Sequence, residues 1–301
     1  MSNTALLGKL AIVTGSSRSI GAAVAKCLGE HGANVVVNYI NDAKAADDVV
    51  QSIRSQGKGG AIAVKADAST VEGGQLLLQE AVKTFGKVDI LVLNAGIAGS
   101  RTLAEIDEAF FDAHFSANVK APLFMAKTAV PLLSSRRPFL CPLLFGDSLI
   151  DRSRRSYHFF LVKYDSSIWY VAFLIPQKTL IVTSCKAVLP GSLCYLATKG
   201  AIEQIARVLA KELGPRGITV NTVSPGQLDT SLFREANKNP GIIDSIVRQN
   251  SSRRIGGPED IAPIVAFLAS EAAQWINGQN IQVDGVSTKK MINSRYENPG
   301  Y

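Results

Sequence analysis

Short apolar runs alternate along the chain with longer segments in which apolar residues recur every three or four positions. Such runs are typical of strands buried in a parallel sheet, and the longer segments are typical of helices that pack on it. The runs predict seven strands, at residues 10–13, 35–37, 61–64, 88–93, 179–182, 218–223 and 281–283. The periodic segments predict helices, at residues 20–30, 42–56, 71–85, 109–133, 195–213 and 258–270. This alternation predicts one α/β domain, a doubly wound parallel sheet of about seven strands flanked by helices.

One segment, residues 134–178, breaks the rhythm, because its apolar residues follow neither a helix period nor a strand period. We predict that it is an atypical insert in a domain of residues 1–286, and that the polar tail 287–301 is disordered. Its mixture of Arg, Ser, Phe and Leu is typical of translated non-coding sequence, such as a retained intron. A lineage-specific loop that binds a partner through its basic residues is the alternative. Sequencing the transcript distinguishes the two.

The net charge of +7 does not predict a nucleic-acid partner. Residues 134–178 hold seven Lys or Arg and three Asp or Glu, so this segment contributes +4 and the remainder only +3. The longest apolar runs are too short to span a membrane. The four cysteines have no metal-site spacing, and we expect reduced thiols in a cytoplasmic protein without a metal site.

The first predicted strand leads directly into a loop that ends where a helix begins. Glycines in such a loop let the backbone approach a phosphate, and the N–H groups and dipole of the helix attract the anion. An ordinary tight turn is the alternative. The candidate phosphate contacts in this loop are Gly15, Ser17, Arg18, Ser19, Ile20 and Gly21.

The residue type at the end of the second strand indicates whether a protein of this kind binds NAD or NADP. An acidic residue there would bind the ribose 2′-hydroxyl of NAD. This chain instead has Asn38, and its nearest acid is Asp42. Arg18 in the loop is a cation that could meet a 2′-phosphate, although it could equally be a solvated surface charge. The two residues favour NADP.

Polar residues also follow the third and fourth strands, at Asp67 and at Asn94-Ala95-Gly96. The carboxyl ends of parallel strands face one crevice, so we expect these residues to line it. Asn118 lies inside a predicted helix, where asparagine is disfavoured. This position indicates either a functional role or a solvated surface site.

Tyr195 and Lys199 are four residues apart in a helical pattern, so they share one face. A nearby cation favours the phenolate and lowers the pKa of a tyrosine, which is otherwise near ~10. Such a tyrosine can exchange a proton with a substrate oxygen. Alone, this pair is more often a stray Tyr and Lys on a surface helix.

Together these motifs resemble the short-chain dehydrogenase/reductase family over residues 9–133 and 179–285. The family's T-G-x-x-x-G-x-G is similar to residues 14–21, its N-A-G to Asn94-Ala95-Gly96, and its Y-x-x-x-K to Tyr195 through Lys199. Its P-G-x-x-x-T is similar to Pro225-Gly226 through Thr230, and its V-D-G to Val283-Asp284-Gly285.

The resemblance, which includes 3-oxoacyl-carrier-protein reductases and fungal enzymes, implies a Rossmann fold and hydride transfer between NADP(H) and a small ketone or secondary alcohol. It implies that Tyr195 is the acid/base, that Lys199 lowers its pKa and holds the nicotinamide ribose, and that Asn118 steadies a proton-relay water. It further implies adenine contact at Asp67, and carboxamide-side contact at Pro225, Gly226 and Thr230. A homo-oligomer, dimer or tetramer, is also implied.

Two departures from the family pattern bear on activity, the position of the serine before Tyr195 and the insert 134–178, where the family usually has only a short turn. A third departure, in the first loop, has little effect. Ser19 replaces the middle glycine of the loop, and serine is small enough to substitute and can donate to phosphate. The family's substrate-binding serine lies a dozen or so residues before the tyrosine, and Ser184 is eleven before Tyr195. Ser184 is the candidate, in a shortened loop. The alternative function is a catalytically impaired dinucleotide-binding protein.

Overall fold

The computed structural model describes residues 4–132, 178–182, 191–230, 233–234 and 240–285. Within these ranges seven parallel strands form one sheet in the order β3-β2-β1-β4-β5-β6-β7. The strands are β1 Leu10–Val13, β2 Asn34–Tyr39, β3 Ala61–Lys65, β4 Ile90–Leu93, β5 Lys178–Val182, β6 Thr219–Pro225 and β7 Asn280–Val283. The predicted parallel α/β sheet is confirmed.

Helices cover both faces of this sheet, which explains why its central strands read as unbroken apolar runs. The helices are α1 Ser19–Glu30, α2 Ala43–Ser55, α3 Val71–Phe85, α4 Glu108–Phe115, α5 Ala121–Ala129, α6 Leu193–Leu213, α7 Pro240–Gln249 and α8 Pro258–Ala269. One buried cluster joins α1, α2 and α8 to the sheet, and a second joins α3, α5 and α6 to the opposite face.

The strand order reverses at β1. From β1 the chain adds β2 and then β3 on one side, and returns to place β4 against the other side of β1. The loops that leave β1 and β4 therefore separate in opposite directions and open a crevice between them. Ligands of doubly wound sheets bind at such a point.

The predicted helical segment 109–133 is helical as far as the structure describes it, to residue 132, but it is not one regular α-helix. A π-helical turn, Ser116–Lys120, separates α4 from α5, and the amide of Ala121 donates to the carbonyl of Ser116 five residues back. Pro122 falls in the first turn of α5, where its missing N–H costs no helical hydrogen bond. Single π turns add one residue to a helix and are frequent at functional sites.

Several predictions fall on parts of the chain outside the described residues. Among them are Ser184, the insert apart from Lys178, and the tail 287–301. The domain limits, the oligomeric state and the cytoplasmic location stay predictions. Within the described ranges, no helix combines the length and apolar character needed to cross a membrane.

Candidate active site

The loop between β1 and α1 is compressed against the end of β4. Gly15 has a φ of 61°, and a Cβ there would lie 3.3 Å from Cα of Ala95. A Cβ on Gly21 would collide with the carbonyl oxygen of Gly15. The two glycines thus let the first turn of α1 reach the carboxyl end of β1, with its N–H groups at the crevice.

Hydrogen bonds join this loop to Asn94-Ala95-Gly96. The hydroxyl of Thr14 accepts from the amides of Asn94 and Ala95, both at 2.9 Å. The side-chain amide of Asn94 donates to the carbonyls of Thr14 and Gly15, at 3.0 and 3.2 Å. The two motifs, about 80 residues apart in sequence, form one rigid floor at the switch in strand order.

Asn38 is buried at the end of β2, and its side chain bonds to protein groups on both sides. Its Oδ1 accepts from the amide of Gly15 at 2.9 Å, and its Nδ2 donates to the carbonyl of Ala66 at 2.9 Å. Its backbone amide donates to the hydroxyl of Ser16. Asn38 therefore holds the loop in shape, whereas Arg18, at the N-cap of α1, is exposed to solvent.

Ser19 adopts the left-handed conformation, with a φ of 54°. For a residue with a Cβ this conformation costs about 1–2 kcal/mol, and glycine adopts it freely. The structure thus shows why the related family has glycine here. Ser19 lies between Gly15 and Gly21, whose close packing leaves this part of the loop little freedom.

Replacing Ser19 by glycine should stabilise the nucleotide-free protein by about 1 kcal/mol, since the left-handed strain is removed. For a chain of this size that is a rise of about 2–4 °C in Tm by calorimetry. Ser17→Gly in the same loop is the control and should not raise Tm, because Ser17 is not in the left-handed region. Equal Tm changes in the two variants would show that Ser19 is unstrained.

The remaining candidate cofactor residues follow β1, β3 and β6 at the carboxyl edge of the sheet. Asp67 follows β3, is exposed, and accepts from the amide and hydroxyl of Ser69 at 3.0 and 2.6 Å. Gly226 follows β6 so closely against β7 that a Cβ would lie 2.8 Å from Cα of Asp284. The hydroxyl of Thr230 accepts from the amide of Phe233 at 3.2 Å, which caps a helical turn. Ser17 and Ile20 are partly buried in the first loop.

Tyr195 and Lys199 share one face of α6, as their spacing predicts, and the Nζ of Lys199 lies 5.3 Å from the centre of the Tyr195 ring. Lys199 is only 7% exposed. A Cβ on Gly96 would lie 3.8 Å from this Nζ and 3.0 Å from Oδ1 of Asn118. The structure therefore brings Lys199 and Asn118 together at Gly96, above the ends of β1 and β4.

Asn118 is buried in the π turn, and its amide group clamps the chain just after Gly96. Its Oδ1 accepts from the amide of Ile97 at 2.8 Å, and its Nδ2 donates to the carbonyl of Ile97 at 2.9 Å. The same Nδ2 donates to the hydroxyl of Thr198 at 3.1 Å. The solvated surface position left open by the sequence is thereby excluded.

Sequence reasoning missed Thr198 and Glu203, which are both 0% exposed on α6. Nη2 of Arg207 lies 3.1 Å from Oε1 of Glu203, and this carboxylate is otherwise enclosed by the protein. Burial raises the pKa of the Glu203 carboxyl from 4.5 to about 7, although the Arg207 charge and the Asn280 side chain oppose the shift. Lys199, Glu203 and Arg207 follow each other at intervals of four residues. This spacing places them on one face of α6, and it could have identified Glu203 from the sequence.

This crevice suits a dinucleotide by its own geometry. It combines glycines with no space for a Cβ, the N-terminus of α1 and a buried ammonium beside a phenol. The first two suit a pyrophosphate, and the third suits proton transfer at a reacting oxygen.

Two family models match the chain. The model described as short chain dehydrogenase matches residues 9–138, and the model described as Enoyl-(Acyl carrier protein) reductase matches residues 177–286. Together they cover the sheet, the crevice loops and α6.

Known proteins resemble the chain over nearly its whole length. An uncharacterized oxidoreductase of Methylorubrum extorquens is 37% identical over 285 residues, which are 93% of this chain and 98% of the relative. A probable tetrahydroxynaphthalene reductase of Zymoseptoria tritici is 35% identical, covering 93% of this chain and 94% of the relative. The crystal structure of the angucycline C-6 ketoreductase LanV with bound NADP superposes with a TM-score of 0.74 at 31% identity, covering 94% and 96% of the two chains.

Proposed function

Since the chain belongs to the short-chain dehydrogenase/reductase family, we propose that it is an NADP-dependent oxidoreductase that interconverts a ketone and a secondary alcohol. The observation that carries the proposal is the buried ammonium of Lys199, 5.3 Å from the Tyr195 ring, above the point where the strand order reverses. The bound NADP of LanV supports the choice of cofactor.

The first loop would hold the cofactor's pyrophosphate on the N-terminus of α1, through Ser17, Ser19 and Ile20 between the two glycines. Arg18 is exposed at the N-cap and would pair with the 2′-phosphate. We assign Asn38 an indirect role, because its side chain is bonded to Gly15 and Ala66. The other contacts we assign are Asp67 to adenine, Asn94, Ala95 and Gly96 to the adjoining ribose side, and Pro225, Gly226 and Thr230 to the carboxamide.

In the direction of reduction, NADPH when bound supplies the hydride. The phenol of Tyr195 gives its proton to the carbonyl oxygen of the substrate as that oxygen becomes an alkoxide. The Lys199 ammonium stabilises the phenolate that remains, since a nearby cation favours the charged form. Asn118 holds the main chain of Ile97 in place, and Ser184, outside the described residues, is our candidate to donate to the substrate oxygen.

For the substrate we propose a cyclic ketone attached to an aromatic ring. Two similar proteins are named for polycyclic compounds, an angucycline C-6 ketoreductase and a probable tetrahydroxynaphthalene reductase, whose name gives a fused aromatic ring system. Apolar side chains that such a ring could contact stand exposed on both sides of the site, namely Ile97 after β4 and Leu193 at the start of α6.

The test is NADPH consumption by the purified full-length protein with a panel of ketones, comparing 2-tetralone with acetone and cyclohexanone. We expect turnover with 2-tetralone, and a Kd for NADPH at least about tenfold below that for NADH, the value of one charge-assisted contact of ~1.4 kcal/mol. Tight NADPH binding without turnover on any ketone would contradict the enzymatic proposal and favour the dinucleotide-binding alternative. Equal Kd values would contradict the role of Arg18.

A further inference from the structure

The hydroxyl of Thr198 joins two parts of the site that are 80 residues apart in sequence. It accepts from Nδ2 of Asn118 at 3.1 Å and donates to the carbonyl of Tyr195 at 2.7 Å. Asn118 in turn clamps both the amide and the carbonyl of Ile97. A continuous chain of hydrogen bonds therefore runs from Ile97 through Asn118 and Thr198 to the backbone of Tyr195.

The two side chains at the centre of this chain are protected from water. Thr198 is 0% exposed and Asn118 is 4% exposed. Buried hydrogen bonds are costly to lose, because the partner left behind is not solvated. The hydroxyl accepts from an amide and donates to a carbonyl at once, whereas valine has a similar volume and makes neither bond.

The geometry points to Thr198 as a positioning residue that couples the loop after β4 to the proton-donating tyrosine. The assignment of chemistry to Tyr195 rests on the proposed function, but the coupling itself does not. Ile97 directly follows Gly96, against which both Lys199 and Asn118 pack. Through Thr198, the backbone of Tyr195 is held in place by this loop as well as by α6. Displacements of about 1 Å at a reacting group can cost about 10²-fold in rate.

The experiment compares Thr198→Val with Thr198→Ser in the full-length protein. We expect Thr198→Val to lower kcat, expressed per mole of NADPH-binding sites, about 10- to 100-fold. The Kd for NADPH should stay within about twofold of the wild-type value. Thr198→Ser retains the hydroxyl and should restore most of the rate. Thr128→Val is the matched control, because Thr128 on α5 also returns its hydroxyl to a helix carbonyl, that of Phe124, away from the crevice.

A double-mutant cycle separates coupling from a general structural effect. If Thr198 acts through Asn118, then Asn118→Ala with Thr198→Val should have the kcat of Asn118→Ala alone, within about twofold. The inference would be overturned if the rate losses of the two single variants multiplied in the double variant, or if Thr198→Val left kcat unchanged. If Thr198→Val does not give folded protein, Thr198→Ala replaces it with the same expectation.

Amide hydrogen exchange measures the same coupling without turnover. The amide of Ile97 donates to Asn118, so its exchange should be at least about tenfold faster in Thr198→Val and unchanged in Thr128→Val. Unchanged exchange at Ile97 in Thr198→Val would refute the coupling even in an active enzyme. A wild-type protein without turnover but with the expected exchange would instead refute the proposed function alone.

Discussion

Phenylalanine in place of Tyr195 should lower kcat for ketone reduction by about 10³-fold or more and leave the Kd for NADPH within about threefold. The substitution removes only the phenolic oxygen, which we propose as the proton donor to the substrate. The aromatic ring, which lies 5.3 Å from Nζ of Lys199, is kept, so the packing around the buried lysine should survive. The measurement is single-turnover oxidation of bound NADPH with saturating ketone, together with a fluorescence titration of NADPH.

Ala197→Ser is the control for this experiment, because Ala197 lies on the exposed side of the same helical turn. It should keep the wild-type rate. A Tyr195→Phe variant that retains more than a tenth of the rate would show that another group donates the proton. A loss of NADPH binding in that variant would show that the phenol holds the cofactor rather than acting on the substrate.

Glutamine in place of Glu203 should stabilise the protein at alkaline pH by about 2–3 kcal/mol. Burial raises the pKa of this carboxyl to about 7 in the folded state, so between 4.5 and about 7 the folded protein holds more protons than the unfolded chain. The free energy of unfolding therefore falls as pH rises through that window, and the full penalty is present above it. Glutamine is uncharged throughout and removes the penalty.

Urea unfolding at pH 5 and pH 8.5 measures the effect. At pH 5 the gain should be less than about 1 kcal/mol, because most of the folded-state carboxyl is still protonated. The attraction of Arg207 is already part of the balance that sets this pKa, so the lost ion pair does not reduce the gain at pH 8.5 further. Glu212→Gln, at an exposed position of the same helix, is the control and should leave the pH dependence unchanged. An equal gain at both pH values would contradict the burial argument.

The central strands could be predicted because β1, β4 and β6 are runs of residues buried on both faces. β1 has the predicted limits, and β4 is two residues shorter than predicted. β2 extends beyond the predicted apolar run to include Asn38, because internal hydrogen bonds compensate for burying this polar side chain. Hydropathy alone carries no signal for such a residue.

The sequence singled out Asn118 as unusual in a helix, but the π turn at this position could not be predicted from the apolar pattern. A π turn inserts one residue and then resumes the helix, so the apolar pattern on either side remains helical. The turn is held by bonds from Asn118 to Ile97 and Thr198, whose positions depend on β4 and α6. A local pattern cannot contain these partners.

The sequence by itself determined the order of strands and helices, the crevice at the switch in strand order, and the shared face of Tyr195 and Lys199. These follow from backbone periodicity and from the burial of apolar side chains, which are local properties. Only the tertiary structure decided which polar side chains form hydrogen bonds inside the fold. Asn38 bonds to the first loop, Asn118 to Ile97, and Thr198 to the backbone of Tyr195. Hydrogen bonds need partners within about 3 Å in a suitable direction, and distant segments meet at that precision only in the folded chain.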